Sequence, residues 1–407
     1  MGYKVAIIGG GAAGFFTAIN IAERTENVEI TIYEASNKLL VKVLVSGGGR
    51  CNLTNTISEP TELIKNYPRG NDFLRPVFEK FSSNDTQDWF TSRGVALKTE
   101  EDGRVFPASN SSQSIYDCLV MAAKENGVKV TKNTRLLDFS KSGSKWKLTF
   151  KETQEEADFL VLATGSSPSI YKLLVAQKID IIPPIPSLFT FNAKQHHQVS
   201  LAGVSVPNAT TRIRQINTSK DFGPLLITHW GYSAPSILKL SAWYARDLSR
   251  MDYTFNLLIN WNSYEIAELR KTFASFVTER PKDKVYSWRD HGLPKRLWQS
   301  LFSEANFREF TNWSEIGKKG IERLLTVLCA YDAPIKGKST FKEEFVTAGG
   351  ISLDKISVET FELDGFTNLY AAGEVLNIDA ITGGFNFQAA WSAGYSISMA
   401  IASRINE

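Results

Sequence analysis

The chain has 407 residues, of which 43% are hydrophobic and 22% are charged, a composition typical of a soluble globular protein long enough for two or three domains. The net charge is only +3, but residues 189–338 carry 21 Lys and Arg against 13 Asp and Glu. This basic segment suits an anionic partner or substrate, although such an excess is most often a solvated surface. The absence of a leader pattern and of a long apolar run predicts a cytoplasmic protein without a membrane span.

The cysteines and histidines limit the chemistry. Cys51, Cys118 and Cys329 are widely spaced, which fits a reducing compartment. Because no C-x-x-C or C-x-x-x-x-C pair occurs, the sequence argues against a flavin-linked disulfide reductase, whose chemistry needs two neighbouring thiols. The adjacent His196 and His197 have no cysteine or acid near them at zinc spacing, so we expect no metal.

The first recognisable element is a buried strand that runs into a glycine turn and a helix. Val5–Ile8 is a short apolar run of the kind found in parallel strands covered on both faces. The glycines that follow fit the G-x-G-x-x-G spacing, which allows a tight turn and a close approach of the backbone to a pyrophosphate at a helix N-terminus. The predicted nucleotide contacts here are Gly9, Gly11, Ala12, Ala13 and Gly14.

A second strand supports a nucleotide-binding site. Residues 28–34 alternate between apolar and polar side chains and end at Glu34, twenty residues beyond Gly14. An acid at this position is expected to accept a hydrogen bond from a ribose hydroxyl. The alternatives are a solvated carboxylate at a strand end and, for the whole stretch, an ordinary glycine-rich turn.

Residues 42–55 predict an irregular loop, because three consecutive glycines followed by Arg, Asn and Thr form poor helix and poor strand. Such a loop offers accessible backbone N–H groups and one guanidinium to an anion, or it is simply a flexible surface loop. Arg50 is predicted to neutralise a pyrophosphate or to hold an anionic substrate, unless it is an ordinary exposed arginine. The candidate contacts are Ser46, Gly47, Gly48, Arg50, Cys51 and Asn52. Cys51 is more typical of a packed residue than of a nucleophile.

The next predicted elements lead to another buried strand. They are helices near 72–81, 85–93 and 112–125, a hairpin turn at 101–104, a strand at 128–130 and antiparallel strands near 136–139 and 146–150. Residues 158–165 then form an apolar strand that ends in glycine and should lie beside the first strand. Its candidate contacts are Ala163, Thr164 and Gly165.

A proline-rich run divides the chain. Ile181–Pro186 contains three prolines, is predicted to break regular structure and marks the exit from the first domain. Antiparallel strands are predicted at 199–206 and 210–216, helices over 265–328, a return at 336–341, a third apolar strand at 368–374 and a closing helix at 385–401. These patterns predict an α/β protein with a Rossmann-like domain made of residues 1–188 and 341–407 and an inserted domain of residues 189–340, whose helical part spans about 265–330.

Four sequence blocks then carry a resemblance to a known family. They are Gly9–Gly14, Ser46–Asn55, Thr347–Gly350 and the block from Gly373-Glu374 to Thr382–Gln388. On these blocks the chain resembles the cytoplasmic FAD-binding flavoproteins of the aminoacetone-oxidase type, often labelled NAD(P)/FAD-dependent oxidoreductases. Thr228–Pro235 is a weaker match to the family's T-H-x-G-x-S-G-P turn, with Ala234 in place of glycine. Ala380 also replaces a glycine, and Phe385 and Phe387 replace the usual Tyr and Leu.

The resemblance implies FAD as the tightly held nucleotide, bound by a domain built from both chain ends, with an inserted β-barrel and helical subdomain. The N-terminus of the closing helix is our candidate for stabilising the negative charge that a reduced flavin gathers. The candidate cofactor contacts in the last block are Gly373, Glu374, Thr382, Gly383, Gly384, Phe385 and Asn386. Because no second G-x-G-x-x-G occurs, any NADH or NADPH is expected to dock transiently.

The function expected from these features is FAD-dependent oxidation or reduction of a small organic substrate, with hydride transfer to or from flavin N5. An amine oxidase that uses oxygen is one form of this function, and an NAD(P)H-driven reductase of an enone-like or steroid-like substrate is an alternative. A different class is a protein that holds FAD for structure while its basic insert binds nucleic acid, a partner that we do not expect. His229, in the weaker matching turn, is the candidate catalytic base. The sequence does not predict the oligomeric state.

Overall fold

The structure is a computed structural model that describes residues 2–193, 199–217, 219–339 and 346–407. Its strands are β1 (Tyr3–Ile8), β2 (Val28–Tyr33), β3 (Thr54–Asn55), β4 (Leu97–Thr99), β5 (Arg104–Pro107), β6 (Lys129–Thr131), β7 (Asp138–Ser142), β8 (Lys145–Thr149), β9 (Gln154–Ala157), β10 (Phe159–Leu162), β11 (Ile181–Ser187), β12 (Thr190–Asn192), β13 (Ser205–Ile213), β14 (Asp221–Ile227), β15 (Gly231–Ser233), β16 (Thr254–Asn260), β17 (Tyr331–Lys336), β18 (Lys338–Ser339), β19 (Val346–Ile351) and β20 (Leu369–Ala371).

The helices, also numbered in chain order, are α1 (Ala12–Ala22), α2 (Val41–Gly49), α3 (Pro60–Leu63), α4 (Asn71–Lys80), α5 (Ser83–Thr91), α6 (Gln113–Glu125), α7 (Pro168–Ala176), α8 (Pro235–Trp243), α9 (Ala245–Arg250), α10 (Ile266–Glu279), α11 (Lys295–Glu304), α12 (Trp313–Cys329) and α13 (Phe385–Asn406). The chain divides into two compact units, the first formed by Met1–Pro186 and Phe341–Glu407 and the second by Ser187–Thr340. The predicted return at 336–341 falls partly outside the described residues.

The first unit is built around a parallel sheet with the strand order β20-β10-β1-β2-β6. Strand β1 pairs with β2 on one side and with β10 on the other, as expected from the uninterrupted apolar pattern of β1 and β10. Strand β20, from the C-terminal part of the chain, pairs in parallel with β10. The sheet is therefore of the Rossmann type, and the predicted α/β class is confirmed.

Helices α1 and α13 pack against each other in the core of the first unit, and a glycine allows their close approach. A Cβ atom at Gly394 of α13 would lie 2.9 Å from the Thr17 Oγ1 atom and 3.2 Å from the Phe16 ring. The Trp391 side chain is fully buried beside Phe16, with a ring separation of 5.3 Å. Helix α13 is thus fixed deep in the unit, which holds its N-terminus in a defined place.

Two predictions for the first unit are wrong. The proline run forms β11, which pairs with β19 in a two-stranded sheet. A strand with a single partner has one free edge, and prolines, which lack an N–H group, are tolerated on such an edge strand. The irregular loop predicted at 42–55 begins instead as α2, whose helical backbone is interrupted at Ser46, Gly47 and Gly48. It ends as the short strand β3, so irregular backbone is confined to the middle of the predicted loop.

The second unit contains a seven-stranded antiparallel sheet with the order β17-β16-β13-β14-β15-β12-β18. The helices expected between 265 and 328 are α10, α11 and α12, and their apolar faces join a buried cluster that includes Trp261, Trp298 and Trp313. The strand predicted at 199–206 is wrong, because Val199–Leu201 forms a 3₁₀ turn and β13 begins only at Ser205.

Candidate nucleotide-binding site

The first glycine turn contains two glycines that the protein itself requires. Gly9 follows β1 with φ of 115°, and a Cβ atom there would lie 2.3 Å from the carbonyl oxygen of Ala163. A Cβ atom at Gly14 would lie 2.0 Å from the carbonyl oxygen of Gly9. Both distances are far below van der Waals contact, so these glycines are needed for helix α1 to pack on β1 and β10.

Gly11 is different, because nothing among the described residues requires a glycine there. Its φ of −96° and ψ of −170° are available to any residue, and a Cβ atom would meet no atom within 4 Å. Gly11 is also the N-cap of α1, where no side chain caps the helix and no acid lies in the first turn. Open space in front of an uncapped helix N-terminus fits a phosphate group that approaches the backbone closely, and Ala12 and Ala13 begin the same turn.

The ends of two further strands lie at this edge of the sheet, because the carboxyl ends of parallel strands meet at one edge. Strand β10 is followed by Ala163, Thr164 and Gly165, and Gly165 has φ of 59°. Strand β20 is followed closely by Gly373, with φ of 75°, and Glu374. A Cβ atom at Gly165 would lie 3.8 Å from the Glu374 Oε2 atom and near nothing else. The ends of β10 and β20 are therefore lined by small residues and the carboxylate of Glu374.

Lys42 lies at the same place, a residue that the sequence analysis missed. Its Nζ atom forms an ion pair with Glu374, whose side chain is only 16% exposed, whereas that of Lys42 is 45% exposed. No local pattern marks Lys42, since its partner is 332 residues away. The pair brings a partly exposed ammonium group to the glycine-lined edge, although its charge is shared with Glu374.

Glu34 is held against the first glycine turn. Its Oε2 atom accepts a hydrogen bond from the Gly10 N–H at 2.8 Å, and its Oε1 atom accepts one from the Ser36 N–H, also at 2.8 Å. These bonds fix the carboxylate at the carboxyl end of β2, the position predicted for a ribose-binding acid. Each carboxylate oxygen has a further lone pair with which to accept a hydroxyl.

The glycine loop that interrupts α2, Ser46–Gly49, has two parts with different roles. Gly47 and Gly48 have φ of 59° and 69°, in the left-handed region that glycine tolerates. A Cβ atom at Gly47 would lie 3.1 Å from the Phe106 ring, whereas one at Gly48 would meet no described atom within 4 Å. Ser46 precedes them, and its carbonyl accepts the Cys51 N–H at 3.0 Å. Gly48 therefore faces open space, as Gly11 does.

The predicted anion-binding arginine is engaged within the protein. The Arg50 guanidinium donates to Glu100 at 2.6 Å and lies 4.2 Å over the Phe106 ring. Glu100 also accepts from Arg104 at 2.8 Å. The Arg50 side chain is one-third exposed, so it can reach an anion only while its charge is shared with Glu100.

Cys51 is a packed residue, as expected from the sequence. Its side chain is fully buried, and burial raises the pKa of its thiol to about 12. The thiol is therefore protonated and inert near neutral pH. Only the backbone of Cys51, which has φ of 60°, remains as a contact for a ligand.

The second and fourth sequence blocks meet at the start of α13. The Asn52 amide, in the orientation that satisfies both of its groups, donates to the Thr54 carbonyl at 3.1 Å and accepts from the Gly384 N–H at 2.9 Å. The Asn55 amide donates to the Gly383 carbonyl at 3.2 Å. These contacts join residues more than 300 positions apart and bring the predicted Asn52 and Gly384 into one site.

The N-terminus of α13 offers unused hydrogen-bond donors. Its N-cap, Gly384, has φ of 89°, and neither a side-chain cap nor an acid in the first turn is present. The first N–H groups of a helix lack intrahelical acceptors, and those of Phe385, Asn386 and Phe387 have none among the described residues. The Asn386 side chain bonds instead to Ala380, at 3.0 and 3.1 Å. The Gly384 N–H is already taken by Asn52, whereas the Thr382 hydroxyl is not engaged by any residue that the structure describes.

The third block is structural. Cβ atoms at Gly349 and Gly350 would lie 2.7 Å from the Pro183 carbonyl oxygen and 2.4 Å from that of Val375, so both glycines allow β19 to pack tightly. The Thr347 hydroxyl, on the same strand, is buried without a hydrogen-bond partner among the described residues.

The predicted catalytic histidine belongs to the second unit, whereas all the other candidates belong to the first. His229 is an exposed residue between β14 and β15. The turn is held by its neighbour Thr228, whose Oγ1 atom accepts the Gly231 N–H at 3.0 Å. Ala234, which follows β15, has φ of 81°, in keeping with the glycine expected at that position. No described contact of His229 supports a catalytic role.

The fold and the strand ends define a nucleotide-binding protein of the Rossmann type. The family described as HI0933-like protein Rossmann domain matches residues 3–400, and the chain belongs to this family. The family lies in the superfamily of FAD-binding oxidoreductases, so this protein is an FAD-dependent oxidoreductase. The predicted cofactor and enzyme class are confirmed at this level.

Two characterised relatives match along nearly their whole length. The 3-dehydro-bile acid delta(4,6)-reductase of Clostridium scindens is 27% identical, over 98% of this chain and 99% of its own. The ribosomal RNA dihydrouridine synthase of Haemophilus influenzae is 28% identical, over 97% of each chain. The solved structure of the 3-ketosteroid delta1-dehydrogenase from Sterolibacterium denitrificans covers 99% of both chains with a TM-score of 0.52 at 12% identity, which shows a shared fold.

The described residues contain neither a helix that could cross a membrane nor a cluster of side chains that could bind a metal. None of their helices is both long enough and apolar enough to cross a bilayer. Within the same residues, no three His, Cys, Asp or Glu side chains are grouped so that they could hold a metal ion. His196 and His197 lie outside the described residues.

Proposed function

We propose that this protein is an FAD-dependent reductase of a carbon–carbon double bond conjugated with a carbonyl group, with NADH or NADPH as the reductant. The observation that carries the cofactor site is the open space at Gly11, which neither the backbone conformation nor any neighbour explains. The substrate class is supported by the names of the two relatives, since a delta(4,6)-reductase of a 3-dehydro acid and a dihydrouridine synthase both denote saturation of such a double bond.

The roles of the chain's own residues follow from their positions. The turn Gly9–Gly14 binds the pyrophosphate with its backbone N–H groups, and Glu34 accepts a hydrogen bond from a ribose hydroxyl. Lys42 places an ammonium group at the same edge, with its charge shared with Glu374. Bound FAD supplies a hydride donor and acceptor. The N–H groups of the first turn of α13 stabilise the negative charge that develops on reduction.

A second candidate substrate would undergo the same reaction. A uracil base in RNA carries a conjugated double bond, and the basic excess of residues 189–338 favours an anionic partner. In the second unit, Phe310 is 62% exposed, and the Arg308 guanidinium lies 5.9 Å from its ring centre. An exposed aromatic ring beside a cation is a surface on which a base can stack. RNA is therefore our second candidate substrate.

The test is an anaerobic titration of the holoenzyme, followed by the yellow absorption of its flavin. We expect NADH or NADPH to bleach the band, and a 3-oxo steroid with a conjugated double bond to restore it with formation of the saturated product. Restoration by a uridine-containing RNA, but not by the steroid, would favour the second candidate.

The same titration tests oxidase chemistry of the aminoacetone type. Bleaching by aminoacetone or another amine, with no response to either nicotinamide, would contradict a reductase and favour an oxidase. The matched control is the Gly11→Val variant, which should give no flavin signal with any reductant because it retains no FAD.

A further inference from the structure

A short segment of the first unit, Asn66–Gly70, contacts the residues that lead into α13, although the two segments are more than 300 positions apart in the chain. We call this segment the brace. The Asn66 carbonyl accepts the Ile381 N–H at 2.9 Å, the Tyr67 hydroxyl donates to the Phe385 carbonyl at 2.6 Å, Arg69 pairs with Asp379, and a Cβ atom at Gly70 would lie 2.7 Å from the Ile378 side chain. Four of the five residues of the brace thus contact residues 378–385.

The ion pair between Arg69 and Asp379 fixes the position of the brace relative to the residues that precede α13. Asp379 is completely buried, and the Arg69 side chain is 13% exposed. Two guanidinium nitrogens of Arg69 donate to the two carboxylate oxygens of Asp379. Buried ion pairs contribute little net stability, because desolvation offsets their attraction, but a bidentate pair fixes the relative orientation of two segments.

Tyr67 acts directly on the first turn of α13. Its side chain is fully buried, and burial raises the pKa of its hydroxyl well above the usual value, so the group remains a donor. It donates to the carbonyl of Phe385, the first residue of the helix, and its ring packs edge-on against the Phe385 ring at 6.2 Å. The hydroxyl therefore contacts the first helical turn without occupying any of its N–H groups.

We propose that the brace is a positioning element, which directs the N-terminal N–H groups of α13 towards the part of FAD that becomes negative on reduction. This inference rests on the proposed FAD site. If it is correct, loosening the brace weakens the binding of reduced FAD more than that of oxidised FAD, because only the reduced form carries the charge that these N–H groups stabilise.

The experiment compares the flavin midpoint potential and the FAD dissociation constant of the holoenzyme with those of Tyr67→Phe, which keeps the ring and removes the hydroxyl. We expect the ratio of the affinities for reduced and oxidised FAD to fall about tenfold, a shift of about 30 mV to more negative potential for a two-electron couple. The matched control is Tyr395→Phe, also on α13, whose ring stacks on Phe81 at 4.7 Å. This control should keep the wild-type potential.

A second variant protects the test against misfolding. Arg69→Lys keeps the charge but loses the bidentate fork, and it should shift the potential in the same direction while the unfolding transition stays cooperative. Wild-type potentials in both Tyr67→Phe and Arg69→Lys would overturn the positioning role and leave the proposed function intact. A wild-type protein that binds no FAD would instead overturn the proposed function itself.

Discussion

The Thr54 hydroxyl donates to the Gln388 Oε1 atom at 2.6 Å, between residues 334 positions apart in the chain. The same oxygen accepts the Thr86 hydroxyl at 2.9 Å, and the Gln388 Nε2 atom donates to Ser392 at 3.0 Å. All of these groups are buried, and every one of them has a hydrogen-bond partner. A buried polar group without a partner would cost about 1 to 3 kcal/mol. The network joins β3, which ends the second sequence block, to α13, which ends the fourth, and so brings the two distant motifs together.

The first prediction concerns the open space at Gly11. We expect Gly11→Val to lose FAD but to fold, because its Cβ atom would meet no described residue within 4 Å and its backbone conformation suits any residue. The side chain would exclude a phosphate from the turn. The measurement is the flavin absorbance of the purified variant together with its far-ultraviolet circular dichroism.

Gly14→Ala is the contrasting variant, since its Cβ atom would lie 2.0 Å from the Gly9 carbonyl oxygen. It should destabilise the apoprotein itself, by about 2 kcal/mol or more, as overpacking does. A Gly11→Val protein with full FAD occupancy would show that the phosphate site has been misplaced.

The second prediction separates two arginines that share a partner. Arg50 and Arg104 both donate to Glu100, at 2.6 and 2.8 Å, and both lie over the Phe106 ring. If Arg50 also binds an anion, Arg50→Ala should weaken FAD or substrate binding about tenfold, which corresponds to a loss of about 1.4 kcal/mol. Equilibrium titration of the apoprotein with FAD, and KM for the substrate, measure this loss.

Arg104→Ala provides the control, because it removes an equivalent contact with Glu100 without a predicted ligand contact. Both variants should lose a similar, small amount of stability, about 1 kcal/mol or less for partly exposed pairs. Equal ligand affinities in the two variants would assign Arg50 a structural role alone.

The parallel sheet could be predicted from the sequence because its strands carry their own signal. Strands β1 and β10 are covered on both faces, so Val5–Ile8 and Phe159–Leu162 are uninterrupted apolar runs. Helix α2 could not be predicted, since the three glycines at its C-terminal end dominate the local propensity. Strand β11 could not be predicted either, because its prolines have low strand propensity and the sequence does not reveal that the strand lies at the edge of a sheet.

The candidate site was predictable where glycines mark strand ends, and unpredictable where long-range charge pairing decides. Gly165 and Gly373 follow apolar strands, and a pattern of this kind can be recognised in one sequence. The pairing of Arg50 with Glu100, of Lys42 with Glu374 and of Arg69 with Asp379 joins residues 50 to 332 positions apart. No local rule specifies such partners, so the fate of each charge required the fold.

The third prediction concerns Ala234, which has φ of 81° and ψ of 174° immediately before α8. This conformation is essentially reserved for glycine and costs other residues about 1 to 3 kcal/mol. Ala234→Gly should therefore raise the free energy of unfolding by about 1 kcal/mol, after allowance for the greater freedom of glycine in the unfolded chain. The measurement is chemical denaturation followed by tryptophan fluorescence.

A matched control for Ala234→Gly is Ala274→Gly, an exposed position within α10. Glycine inside a helix has no strain to relieve there and should lower the free energy of unfolding by about 1 kcal/mol. If both variants are destabilised equally, the backbone at Ala234 is not strained in solution.

The fourth prediction is a pH dependence of stability that arises from His291. Its side chain is 4% exposed, its Nδ1 atom accepts the Leu293 N–H at 2.9 Å, and its ring stacks on Trp298 at 4.7 Å. Burial, with a contribution from the Arg289 charge, lowers its pKa from 6.5 to about 4. The unfolded chain binds a proton below pH 6.5, whereas the folded protein binds it only near pH 4, so stability falls as the pH is lowered through this window.

Between pH 7 and pH 5, this single group should reduce the free energy of unfolding by about 2 kcal/mol. Urea denaturation at a series of pH values measures the slope, and His291→Gln should remove this part of it whatever the variant's absolute stability. An unaltered slope in His291→Gln would mean that the imidazole takes up its proton without opening the buried aromatic cluster, and the lowered pKa would then be wrong.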